Sequence, residues 1–83
     1  MVKLQMTNTV FLGEGAGPAG SVRNWQIRFV IDGPGLQTSI DVPVEGPIDD
    51  IGGWQAQINA LGRLREFLRH ASEAADKTKI GSY

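Results

Sequence analysis

Residues 22–44 read V-R-N-W-Q-I-R-F-V-I-D-G-P-G-L-Q-T-S-I-D-V-P-V. Two alternating runs flank a turn. Over 22–31, Trp25, Ile27, Phe29 and Ile31 share one parity, and Asn24, Gln26 and Arg28 share the other. Over 36–44, Leu36, Thr38, Ile40, Val42 and Val44 fall on one parity. Successive side chains of a strand point to opposite faces, so each run predicts a strand with one face to bury. Between them Asp32 opens a turn, Pro34 fixes one φ, and Gly35 accepts a positive φ. A turn over residues 32–35 sets Ile31 opposite Leu36, Phe29 opposite Thr38, Ile27 opposite Ile40 and Trp25 opposite Val42. In that register Arg28 faces Ser39 and reaches Asp41 only diagonally.

Upstream, over 2–12, Val2, Leu4, Met6, Val10 and Leu12 share one parity, and Lys3, Gln5, Thr7 and Thr9 share the other. This predicts a further half-buried strand, with Asn8 on the apolar face as the mark of a bulge or a break. Residues 13–21, G-E-G-A-G-P-A-G-S, predict a flexible hairpin loop. Gly15, Gly17 and Gly20 match the letters of G-x-G-x-x-G. That fingerprint needs a helix to follow it, so that backbone N–H groups and the helix dipole meet a pyrophosphate. A strand pattern follows instead, Pro18 offers no N–H, and Glu14 repels an anion. Pro43 likewise cannot donate to a neighbouring strand, which places the third strand at a sheet edge and the second in the middle.

Downstream, residues 54–75 carry the only helical period. Trp54, Ile58, Leu61, Leu64, Leu68, Ala71 and Ala75 recur at spacings of three and four. Asp49 and Asp50 precede this run and suit its positive end. The expectation is an α+β fold in two layers (βββα) over a single domain, 1–83. A three-stranded antiparallel meander, with strands near 2–12, 22–31 and 36–44, carries one long C-terminal helix, near 53–76, on one face. Residues 77–83 are read as a frayed tail. On a helical wheel the apolar arc spans about 200°, roughly twice what one supporting face requires. The large residues of the first stripe suit the sheet. The second stripe, Ala56, Ala60, Phe67 and Ala74, is assigned to a contact with another chain, with pairing through an edge strand as the alternative route of association.

The totals exclude several classes. An 83-residue chain with 0 Cys has no disulfide framework and no cysteine metal site. A formal net charge of −1 gives none of the basic excess of a nucleic-acid or anionic-membrane binder. No apolar run approaches the roughly 20 residues that span a bilayer, and Met1 to Met6 lack the build of a signal peptide. A soluble cytoplasmic protein is expected. His70, the only His, forms E-x-x-x-H-x-x-E with Glu66 and Glu73, but a metal site wants ligands from a second segment, and none is evident. No Ser has the partners of a nucleophilic triad. Neither a catalytic residue, a cofactor nor a metal is therefore assigned.

The order of features resembles a group of small bacterial proteins of unassigned activity, in which an aromatic-bearing strand runs into an I-x-G-x-G hairpin and a G-x-x-x-Q-A type helix closes the chain. The matching letters are Trp25, then Ile31, Gly33 and Gly35, then Gly53, Gln55 and Ala56, leading to Leu61 and Leu64. They cover roughly the last two-thirds of the chain, and the helix start is spaced differently here. The resemblance implies a bacterial origin and no activity. The functional expectation is a non-enzymatic interaction module that forms a homodimer, with room for an unidentified protein partner. The alternative is a weak nucleic-acid or anion binder using Arg63, Arg65 and Arg69.

Overall fold

A computed structural model describes residues 1–81. Strands β1 (Lys3–Gly17), β2 (Gly20–Gly33) and β3 (Leu36–Pro47) precede helix α1 (Trp54–Asp76). The strands form one antiparallel sheet in the order β1-β2-β3, with the helix packed on one face. The fold is the expected βββα arrangement. The last two residues of the tail, 82 and 83, lie outside the described residues.

The β2–β3 hairpin keeps the expected faces but closes two residues tighter. Gly33 pairs with Leu36, Ile31 with Thr38, Phe29 with Ile40, Ile27 with Val42 and Trp25 with Val44. Pro34 and Gly35 alone make the turn, with Gly35 at φ 76, the residue order a type II turn demands. Because the shift is by two, every side chain stays on its face. Arg28 now lies directly opposite Asp41. Its guanidinium donates to both carboxylate oxygens, at 2.8 and 3.1 Å. The bond from Arg28 holds the Asp41 carboxyl below its ordinary range.

The glycine-rich stretch is paired strand, not loop. β1 runs through Gly15 and Gly17, the turn shrinks to Pro18 and Ala19, and Gly17 pairs with Gly20. Two irregularities make this possible, between Met6 and Asn8 and between Phe11 and Gly13. Thr7 and Leu12 are the extra residues, and each bulge reverses the parity of the residues after it. Beyond Thr7 the expected face is therefore overturned. Thr9 and Phe11 join Leu4 and Met6 on the helix side, opposite Ile27 and Trp25, while Val10 turns to the outer face. β1 stays continuous through Asn8.

The core comprises Trp25, Ile27, Phe29, Val42, Val44, Ala56, Ala60 and Leu64. The helix enters it through Gly53, whose φ of 77 turns the chain beside Trp25. Gly53 has no side chain to cap the helix, so Asp50 reaches forward and its Oδ2 accepts the Ala56 N–H at 3.1 Å. The helix then anchors to the outer edge of β3. Asn59 donates to the Glu45 carbonyl at 3.3 Å, and Arg63 to the Pro43 carbonyl at 2.7 Å. Pro43 thus sits where a missing N–H costs no ladder bond, as an edge proline must.

Candidate interaction surface

The helix faces the sheet with its small residues. Ala56 and Ala60 are fully buried, so neither is available to another chain, contrary to the reading of their stripe. The cause is a close approach of helix to sheet. A side chain at Gly46 would meet the Ala56 Cβ at 3.6 Å and the Trp25 indole nitrogen at 3.4 Å. The Ala56 methyl and the Trp25 indole thus both lie close to the Gly46 backbone. Phe67 and Ala74, the other members of the stripe, are exposed. Phe67 lies at the mouth of a cleft of about 180 Å³ between Ile40, Val42 and Leu64, where the helix leaves the sheet.

The stripe expected to cover the sheet is instead largely in solvent. Trp54 is 71% exposed, Ile58 50% and Leu68 39%, and only Leu64 of that stripe is buried. On the wheel these exposed residues flank the buried line on the side of Gln57, whose Nε2 donates to Thr9 Oγ1 on β1 at 3.0 Å. The opposite flank, with Asn59 and Arg63, is bound to the β3 edge. The helix therefore sits toward β3 and leaves β1 uncovered on the same face, where Leu4, Met6 and Phe11 are about two-fifths exposed. At the end of that strip Arg23 lies 3.9 Å over the Phe11 ring, and the Phe11 and Trp25 rings are 5.3 Å apart.

The three arginines of the alternative reading do not come together. Arg63 and Arg65 stand about 200° apart around a helix, and Arg63 is committed to the Pro43 carbonyl. Arg69 is held by Glu66 at 2.8 Å and Glu73 at 3.5 Å. The bond from Arg69, aided by the charge of His70, holds the Glu66 carboxyl below its ordinary range. The carboxylates of E-x-x-x-H-x-x-E thus already serve a cation of the same helix. A concavity of about 570 Å³ near Asn24, Glu45, Asn59 and Arg63 lies away from His70, and two of its polar side chains are spent on β3 carbonyls.

Among the described residues no helix is long and apolar enough to cross a membrane. The surface signal that sequence reasoning missed is the β1 strip: Asn8 marks the bulge found between Met6 and Asn8, but the pattern does not say which face the residues after it take. No family model, curated protein or solved structure matches the chain, and the resemblance to small bacterial proteins gains no support.

Proposed function

We propose that this chain is a non-enzymatic interaction module that works as a homodimer. One observation supports the reading: the chain exposes more surface than a compact monomer of its mass. A folded monomer of 9.0 kDa exposes about 4,900 Å² on the usual scaling with mass, whereas this chain exposes 6172 Å². The excess, about 1,300 Å², exceeds the roughly 800 Å² each partner gives to a standard interface. Shape agrees. The radius of gyration is 15.7 Å, against about 12 Å for a compact chain of this length. A small domain with no disulfide gains the most from burying such surface in association.

The binding of nucleic acid has less behind it, since the basic residues are dispersed and partly neutralised. The reading also puts the protein in the bacterial cytoplasm, on its lack of cysteine and its residue order. Light scattering on the purified chain tests the core of it. The expected mass is twice that of the chain; a monomer at high concentration removes the proposal.

A further inference from the structure

We infer that the surface of association is the outer edge of β3, and that its occupant is β3 of a second copy, paired antiparallel about a two-fold axis at Ser39. This rests on the homodimer reading above and supplies its geometry.

The backbone of β3 shows which groups are free. Along an antiparallel strand, alternate residues turn both N–H and C=O to the same side. The carbonyls of Pro43 and Glu45 point away from β2, where Arg63 and Asn59 bind them. β3 pairs with β2 without a register shift, so Gln37, Ser39 and Asp41 present their N–H and C=O on that same open side. Among the described residues no strand lies beyond β3. From Leu36 to Val42 the strand carries no Pro or Lys, residues that commonly blunt an edge. The other edge, β1, is irregular beside Thr7 and Leu12.

One register uses this edge fully. Centred on Ser39, it sets Ser39 opposite Ser39 of the partner subunit and Gln37 opposite Asp41 of the partner subunit. All three positions then exchange bonds in both directions. Beyond Asp41 the ladder stops, because Pro43 has no N–H and its carbonyl is already held by Arg63. A centre at Asp41 would instead oppose two carboxylates and set Pro43 against the donor of Ser39 of the partner subunit.

The same axis brings the helices together. α1 runs antiparallel to β3: Asn59 lies by Glu45, Arg63 by Pro43 and Phe67 by Ile40. Its buried residues sit over the gap between β2 and β3, against Trp25, Ile27 and Phe29 on one strand and Val42 and Val44 on the other. The equivalent gap in the second copy is two strand spacings away, about 10 Å, the distance at which helices pack. A two-fold normal to the sheet keeps each helix over its own strands and runs the pair antiparallel. Phe67 is 57% exposed on the β3 side of the helix, and Ala74, seven residues on, shares its line. That flank faces the second copy, so one axis closes the strand edge and covers Phe67 together.

Two variants test the geometry. Facing residues of a hydrogen-bonded pair have Cα atoms about 5.5 Å apart, within disulfide reach. The chain has 0 Cys, so Ser39→Cys should give a disulfide-linked dimer on mild oxidation, and Ser72→Cys, on the helix away from the seam, should not. Ser39→Pro removes a donor that its own sheet does not use, and should give a monomer by light scattering with an unchanged far-ultraviolet circular dichroism spectrum. Should Ser39→Pro not fold, the cysteine pair decides alone. A wild-type monomer overturns this inference together with the reading it rests on. A wild-type dimer in which Ser39→Cys cross-links no better than Ser72→Cys, or in which folded Ser39→Pro still dimerises, overturns this geometry alone.

Discussion

Arg63 donates a 2.7 Å hydrogen bond to the carbonyl of Pro43, and so ties a helix side chain to the open edge of the sheet. The bond satisfies a carbonyl that has no strand beyond it. Arg63→Ala should lower stability by about 0.5–1.5 kcal/mol, the usual net worth of one such bond. Urea unfolding measures it, and Arg63→Lys should recover part of the loss. An unchanged midpoint in both variants would show that the bond adds nothing.

Leu64 and Leu68 are one turn apart, and sequence periodicity treats them alike. Leu64 is 1% exposed and Leu68 39%. Leu64→Ala should cost about 2–5 kcal/mol, as deletions in a closed core do. Leu68→Ala should cost less than about 1 kcal/mol where the chain is monomeric. Equal losses in dilute solution would contradict this burial pattern.

Two glycines should respond with opposite sign. Gly53 has φ 77, and a side chain there would meet Thr9 and the Trp25 ring at 3.1 Å. Gly53→Ala should destabilise by about 1–3 kcal/mol through backbone strain alone. Gly62 lies inside the helix, and a side chain there meets nothing within 4 Å. Gly62→Ala should stabilise by about 0.5–1 kcal/mol. Thermal midpoints of the pair decide it: both moving the same way would refute the assignment.

The Arg28–Asp41 pair sets a pH dependence. Asp41 has its folded pKa lowered by the bond from Arg28. Its contribution is therefore present at neutral pH and is lost as pH falls through that lowered value, below the usual carboxylate range. Glu66 behaves in the same sense through Arg69. Asp41→Asn should be less stable than the wild type at pH 7, and the two should converge in acid. The effect is small, because the pair is exposed. A difference in urea midpoint that is the same at both pH values would rule it out.

The hairpin face was legible because a period of two survives a slip of two residues. Trp25, Ile27, Phe29, Val42 and Val44 hold the core in either register. The turn length was not, since Asp32 and Gly33 suit a loop as well as a strand end, and here they pair with Gln37 and Leu36. In β1, alternation held only up to the bulge, and Thr9 and Phe11 traded faces with Val10. On the helix, size misled. Large apolar residues suit a sheet in general, but here the helix comes close enough that Ala56 lies beside Gly46, and Ala56 and Ala60 are fully buried. The period identified the helix; the close approach to the sheet chose its face.

The two bulges of β1 bear on how its open edge meets other strands. Among the described residues β1 is a 15-residue edge with no strand beyond it, the kind of margin on which copies stack into fibrils. Each bulge bends the margin and breaks the even ladder a flat incoming strand requires. Residues Thr7 and Leu12 thus act as interruptions in a template. Deleting Thr7 would restore an uninterrupted run from Lys3 to Phe11, and with it a straighter margin for fibril growth.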